Sequence, residues 1–548
     1  VDAFAADLNS HLYGNPHSHS TPSEQAGRRI DEVREQALRF FGADPEEFDL
    51  IFVANATAAI KLVMDGFRDY RKRGSGMTPK FMQKWTKRSF HYYYHRDSHT
   101  SLVGLREFSS KQYCFHDDAE VEAWINKPGP VGASMPLTLF AYPGQSNMNG
   151  RRLPLTWPAK LKKHGSNAFT LLDAAALATT SQLHLSRDKP DFTAISFYKI
   201  FGFPDLGALI VRKSTAARIL NARRYFGGGT VDMVVSIDEA WHAKRTTNLH
   251  SAHEDGTLPF HNIIALGQAM AAMDRVYGGI AAVGKHTASL AAELYSQLSS
   301  LRHESNGKQL IMIYMDAGTV YGNAAVQGAT LAFNVMRANG SFVGYEDVEK
   351  AADAEKIYLR SGGLCNPGGV ATYLGWRPSD MKDAYKFGHR CSKPIQGMMG
   401  RATGVVRVSF GACSSMRDIE RLVDFLKATY IERVEPGKRS TDVSVELGSD
   451  GERLRRSAIA EDAAALSVGT DAALDPARTI SPAVTLPAIV DSKSFDTTTT
   501  YSIASAKGAK PAVVRSMSMS TAKRWARTAL ARKEVARATI VTVEEVRV

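Results

Sequence analysis

An α/β fold on a mostly parallel sheet is what this sequence predicts, and two observations carry it. Short apolar segments, residues 49–53 (DLIFV), 168–173 (AFTLLD), 191–197 (DFTAISF) and 207–211 (GALIV), alternate with helix-like stretches up to about residue 270. Beyond them, residues 261 to about 300 turn long and helical, rich in Ala, Leu and Met. TLAFNV, VEKAADAEKIYLRS, VVRVSFG and IERLVDFLKATY follow, the makings of a smaller α+β lobe. The expected organisation is a large domain over 1–270, a linking helix and small domain over 271–435, and a low-complexity tail over 436–548.

Length and composition agree. A chain of 548 residues holds two to four domains at roughly 100–200 residues each, and 44% hydrophobic with 23% charged residues excludes wholesale disorder. The tail differs: Ser, Thr, Ala and Asp dominate, with TTTT at 497–500 and SMSMS at 516–520, so it is expected to be disordered. Its basic end, residues 522–540, reads either as a helix for a partner or acidic surface or as a solvated charge run. No repeat of 20–50 residues stands out.

Lys plus Arg is 68 against 56 for Asp plus Glu, a surplus of +12 that suits anionic small molecules; neither a nucleic-acid nor a membrane partner is expected. The four cysteines, Cys114, Cys365, Cys391 and Cys413, form no C-x-x-C pair, which argues against a disulfide framework or a metal site and for a reducing, cytoplasmic setting. No run of about 18 apolar residues occurs, so the chain reads as soluble. It begins at Val1 with VDAFAADLNS, which has no secretory pattern, and targeting is not legible from this start.

Lys199 lies just past the strand-like DFTAISF and before a glycine-bearing turn. A lysine there can be partly desolvated, and so competent to form a Schiff base with an aldehyde cofactor; an exposed loop lysine is the plainer reading. Asp173 ends AFTLLD 26 residues earlier, a gap that fits one crossover between neighbouring parallel strands, so both side chains would meet at the carboxyl edge of the sheet. Pyridoxal phosphate needs that pair, an amine for the aldehyde and a carboxylate for the pyridine nitrogen. Asp173 could equally cap the turn into Ala174–Ala176.

A phosphate site is expected after DLIFV, where ANATAAIKLVMDGF opens a helix with small residues. Ala56 and Thr57 are the expected contacts, and an ordinary cap is the plainer account of the stretch. His99, in HYYYHRDSHTSLVG, can stack on a cofactor ring and move protons, or be one polar histidine among sixteen. Asn147, in AYPGQSNMNG, can donate to a cofactor's phenolic oxygen or serve its own turn.

Ten motifs in order, YGNPHS, ANATAAIKLV, DSHTSLVG, YPGQSNMNG, LLDAAAL, SFYKIFGFPDLGALIVRK, FGGGTV, HEDGT, LCNPGG and VVRVSFG, resemble those of class V aminotransferase-fold cysteine desulfurases over about residues 10–430. The resemblance implies the fold of type I pyridoxal phosphate-dependent transferases, with Lys199 holding the cofactor aldehyde and Asp173 pairing with its ring nitrogen. Ser196 and Tyr198 fall where family members hold the phosphate. Thr257 falls where they reach the neighbouring subunit's phosphate, implying a homodimer. Arg407 matches the arginine that grips the carboxylate of the substrate, L-cysteine, in keeping with a guanidinium fork. Cys365 matches the sulfur-accepting cysteine, in a loop whose glycines and proline suggest mobility and access. The wording of the motifs further implies that the sulfur goes to the molybdenum cofactor or a protein carrying it.

Departures accompany the matches. Gly363 and Val370 stand where family members often carry further cysteines. The strand and glycine turn that normally precede YGNPHS are expected to be missing from this chain, and a polar tail stands where longer members have a sulfur-receiving domain. Another reaction on the same cofactor (transamination, epimerisation or β-elimination), or a non-catalytic partner-binding relative, are the competing readings.

Overall fold

The computed structural model of the protein describes residues 1–70, 90–127, 137–163 and 167–433; the tail expected over 436–548 lies outside them. Seven strands form the main sheet: β1 (Phe48–Val53), β2 (His91–His95), β3 (Lys111–Phe115), β4 (Thr138–Pro143), β5 (Ala168–Asp173), β6 (Phe192–Ser196) and β7 (Gly207–Arg212). Their spatial order is β1-β7-β6-β5-β4-β2-β3. The run from β6 to β3 is parallel, as the alternating pattern predicts. The exception is β7, antiparallel to both neighbours. Residues 197–206 are too few for a crossover, which takes a dozen or more, so the chain can only turn back.

Both faces of the sheet are covered, and the strands read accordingly as nearly continuous apolar runs. In β1, Leu50 and Phe52 pack with Val33 and Ala37 of helix Thr21–Phe40, while Ile51 points the other way onto Ile60, Val63 and Phe67 of helix Ala56–Tyr70. The carboxyl ends of the central strands lie level: Pro143 is paired with Asp173, and Ser196 and Val53 are both paired with Gly207. A side chain at Gly207 would put its Cβ 2.5 Å from the Cα of Asn55, so only glycine lets the start of helix Ala56–Tyr70 sit on this edge.

The long helical stretch beyond residue 260 is two helices, Phe260–Tyr277 and Ile280–Ser300. Gly278 and Gly279, at φ +71° and +87°, end the first in the left-handed turn that glycine favours. An exposed hairpin of β8 (Val231–Val235) and β9 (Trp241–Lys244) precedes them. After them, β10 (Ile311–Ile313), β11 (Thr330–Val335), β12 (Arg360–Gly362), the pair β13 (Gly397–Met398) and β14 (Arg401–Ala402), and β15 (Val405–Ser409) complete the strands. An antiparallel sheet of order β10-β11-β15-β12 packs on helices Ile280–Ser300, Tyr345–Ala354 and Met416–Tyr430 through Leu294, Val348, Leu422 and their neighbours. Among the described residues no helix is long and apolar enough to cross a membrane.

Candidate active site

At the carboxyl edge of the main sheet, where ligands of open α/β sheets bind, lies a cavity of about 250 Å3. Eight residues singled out in the sequence line it: Ala56, Thr57, His99, Asn147, Asp173, Ser196, Tyr198 and Lys199. They come from the ends of β1, β2, β4, β5 and β6, so the parallel topology gathers residues that are up to 143 positions apart in the chain, 199 against 56.

Asp173 ends β5 and is buried; its Oδ1 accepts the Ala175 N–H at 3.0 Å, so the carboxylate both caps its own turn and borders the cavity. Lys199 sits on the short helix Phe197–Phe201 after β6. The partly dry amine expected there is not what folds: Lys199 is exposed, because that helix turns one side to the open cavity. His99 is poised between the two. Burial draws its imidazole below the ordinary value; the Asp173 carboxylate opposes that shift and the Lys199 ammonium adds to it. Its Nδ1 accepts the Ser101 N–H at 3.1 Å, which leaves the proton of a neutral ring on Nε2.

The start of helix Ala56–Tyr70 is capped as an ordinary asparagine would cap it, with Asn55 Oδ1 accepting from Ala58 N at 3.0 Å. Ala56 N donates to Ser196 Oγ at 3.2 Å, and Thr57 Oγ1 lies 2.8 Å from Ser101 Oγ. Three hydroxyls therefore cluster where a helix dipole favours an anion. An amine, a carboxylate, a flat imidazole and this hydroxyl-rich helix start are the donor set a phosphorylated pyridine aldehyde requires, and the residues present fit it.

Asn147 lines the cavity and is also bonded to the Cys365 loop. Its Nδ2 donates to the Leu364 carbonyl at 2.7 Å and its Oδ1 accepts from Asn366 Nδ2 at 3.0 Å, so both ends of its amide hold the Cys365 loop. Thr100 N donates to the Cys365 carbonyl at 2.9 Å, and Asn366 Nδ2 also donates to the Asp97 carbonyl at 3.1 Å. Cys365 is exposed, as expected, but its loop is tethered. The peg is Asn366, fully buried, whose Oδ1 also caps helix Pro367–Tyr373 through Gly369 N at 2.9 Å. Gly368 fits only as glycine, since a Cβ there would meet the Arg96 carbonyl oxygen at 2.2 Å.

Arg407, on β15, donates from Nη1 to the Asn147 carbonyl at 2.8 Å, while its buried Nε has no partner. It pairs across the strands with Arg360 of β12. Burial and that second guanidinium pull it below the ordinary arginine value. Two like charges held opposite each other, one with a stranded donor, form a seat for an anion. Thr257 does not reach this cavity: it is exposed on a loop fixed to β1 by Glu254, which pairs with Arg34 at 2.6 Å and accepts the Phe52 N–H at 2.7 Å. Sequence reasoning missed Asn366, Ser101 and Gln145. Of these only Asn366 carried a signal, an Asn-Pro step of the kind that opens a helix.

Comparison with known proteins follows this geometry. The family model Aminotransferase class-V matches residues 135–422. The chain is 50% identical over 441 residues to a protein of Neosartorya fischeri named molybdenum cofactor sulfurase, covering 79% of this chain and 50% of the relative. The protein of the same name from Emericella nidulans is 45% identical over 444 residues, 80% of this chain and 51% of the relative. The chain thus spans about half the length of the curated relatives it matches. Among solved structures, the apo cysteine desulfurase of Thermococcus onnurineus NA1 superposes with a TM-score of 0.57 at 19% identity, covering 78% of this chain and 91% of that one. The cysteine desulfurase CsdA of Escherichia coli gives 0.55 at 18%, covering 78% and 90%. At such identities these two likenesses speak for the fold.

Proposed function

The chain belongs to the class V aminotransferase family, and from that footing we propose that it is a pyridoxal phosphate-dependent cysteine desulfurase, which takes sulfur from L-cysteine onto Cys365, releases alanine and passes the sulfur toward the molybdenum cofactor. The observation that carries this reading is the bonding of the Cys365 loop to Asn147, a wall of the cavity that Lys199 and Asp173 share. Residues 1–270 form the cofactor-binding domain in this reading and 271–435 the small domain that brings Arg407 and Cys365. Thr257, exposed away from its own cavity, serves the site of a second copy in a homodimer. The cytoplasm, whose reducing poise keeps thiols free, is the compartment such chemistry requires.

Lys199 would hold the cofactor's aldehyde, Asp173 the proton on its ring nitrogen, and Ser196, Thr57 and the helix start at Ala56 its phosphate, with His99 against the ring. When bound, pyridoxal phosphate supplies an electron-accepting ring that stabilises charge on the substrate's α-carbon. Arg407 seats the substrate carboxylate with the fork of its guanidinium. Lys199 would take the α-proton and later return it, and His99, proton on Nε2, is placed to deliver or receive another. The Cys365 thiolate would attack the substrate sulfur: an S–S bond forms, the Cβ–S bond breaks, and its electron pair stays with the substrate carbon. A proton at Cβ and the return of the α-proton yield alanine, so that cysteine plus the Cys365 thiol become alanine plus a Cys365 persulfide.

The test is incubation of the B6-loaded protein with L-cysteine, scoring alanine and bound persulfide together. Cys365→Ala is expected to keep the coloured cofactor and form no persulfide. Undiminished sulfur transfer by that variant refutes the assignment.

A further inference from the structure

A second cavity, of about 730 Å3, shares no lining residue with the first. Its walls are helix Lys213–Leu220, the turn after it, and the stretch from β9 to His253. Lys213 follows β7, whose last residue, Arg212, pairs with Phe48 at the start of β1; this wall therefore begins at the opposite end of the sheet from the catalytic edge. Lys213, Arg223, Arg224, Lys244 and Arg245 all line it, and among the described residues no Asp or Glu does. Carboxylates reach these cations from outside the lining: Asp255 pairs with Arg223, Asp232 lies 3.8 Å from Arg245, and Asp69 accepts the Arg224 backbone N–H, which leaves Lys213 and the Arg224 side chain to give the cavity its positive excess.

Two of the lining side chains are more than nine-tenths buried and incompletely bonded. Arg223 is 6% exposed, and its Nε and Nη1 have no hydrogen-bond partner among the described residues. His253 is 3% exposed, and its Nδ1 has none among them either. Native interiors rarely strand such atoms, and an unplaced ligand is one of the few reasons for it. Burial first, and the Arg223 and Lys244 charges after it, draw His253 down to about 4, with Asp255 and Asp49 opposing. The rest of the lining is half apolar, Leu249, Ala217, Ala222 and Ala252, and half polar, Asn221, His242, Thr246 and Asn248.

We propose that this cavity binds a phosphate-bearing heterocyclic small molecule, with Arg223 and the flanking lysine and arginine on the phosphates and Leu249 and the alanines against the ring. The volume lies within the roughly 300–1,000 Å3 usual for small-molecule sites. Asp255 occupies Nη2 of Arg223, so its unpaired Nη1 is the donor left for a phosphate oxygen, and Lys213 and Arg245 supply charge for the others. Nothing in this reading depends on the desulfurase chemistry.

Calorimetric titration of the full chain, its catalytic site saturated with pyridoxal phosphate, tests it with inorganic pyrophosphate and ADP as probes. Single-site binding is expected, with ADP at least about tenfold tighter than pyrophosphate because of its base, and Lys213→Ala with Arg245→Ala together weakening both about tenfold. Those two side chains reach the surface, so the double variant is expected to melt as the parent does. Arg223→Gln, which also breaks the pair with Asp255, serves as the second variant and is scored against its own melting curve. Absence of saturable binding at millimolar probe overturns the proposal, as does unchanged affinity in the double variant. Equal affinity for the two probes, with heparin displacing both, reduces the site to a generic basic patch and overturns it too.

Discussion

Replacing Asn366 by Ala separates the tether of the Cys365 loop from the chemistry proposed for its thiol. The side chain caps helix Pro367–Tyr373, bonds the Asp97 carbonyl and holds the Asn147 amide, all from a fully buried position. Losing the cap removes about 1 kcal/mol. The Asp97 carbonyl and the Asn147 oxygen lose a donor each; with water able to enter from the cavity, the lower end of the range applies, about 1 kcal/mol apiece. The sum is about 3 kcal/mol, concentrated on residues 364–369. Urea denaturation measures it globally, and persulfide formation at Cys365 measures it locally. The expected result is a protein that still binds and colours with the cofactor yet forms persulfide at least tenfold more slowly. Asn366→Asp keeps the cap acceptor and loses the donor, so it should recover helix stability without recovering the rate. Persulfide formation at the parent rate in Asn366→Ala would refute the claim that the tether presents the thiol.

Two further expectations follow from burial. Arg407→Gln removes the charged fork while leaving a hydrogen-bonding amide, and a charged bond of roughly 1.5–3 kcal/mol translates into a fall of about 10- to 100-fold in kcat/KM for L-cysteine, carried mainly by KM, with the cofactor's absorption unchanged; steady-state alanine release reads it. His253 is drawn to about 4 from 6.5, so below 6.5 the unfolded chain binds a proton the native one refuses. Stability contributed by the neutral ring is therefore whole above pH 6.5 and lost as pH falls toward 4, by at most about 3 kcal/mol. Urea midpoints from pH 7 to 4 should slope less steeply in His253→Gln, and the same slope in both proteins would count against the assignment.

What could be read in advance and what could not divides along sequence distance. AFTLLD and TLAFNV fold as the strands their apolar runs predict, with the bounds of Ala168–Asp173 and Thr330–Val335. One lies in the mostly parallel sheet and the other in the antiparallel one, but both are buried along their whole length and so apolar almost throughout, and that pattern is local. The crossover between Asp173 and Lys199 was legible for the same reason: its length admits one connection between neighbours, and β5 and β6 are neighbours. The helical stretch beyond 260 hid its break because composition favours helix on both sides of Gly278–Gly279. Solvation of Lys199 depends on what covers a short helix, and the tethering of Cys365 depends on Asn147, 218 positions away; neither is written in a window of twenty residues.

That long-range tether also explains a backbone that would otherwise be unfavourable. Leu364 and Cys365 hold φ at +53° and +52°, the left-handed region, where a non-glycine residue carries roughly 1–2 kcal/mol of strain. Two such residues in succession do not persist unless their surroundings over-determine them. The carbonyls of both accept hydrogen bonds from large-domain residues, Asn147 and Thr100, and the next residue is the buried peg Asn366. Hydrogen bonds to Asn147, Thr100 and Asp97, all outside the loop, therefore hold a turn whose own preference lies elsewhere, and the consequence of the turn is an exposed thiol directly before a helix start. Glycine at 364 or 365 would adopt the same turn without strain even away from the wall, whereas the non-glycine residues make the conformation depend on contact with the cavity wall.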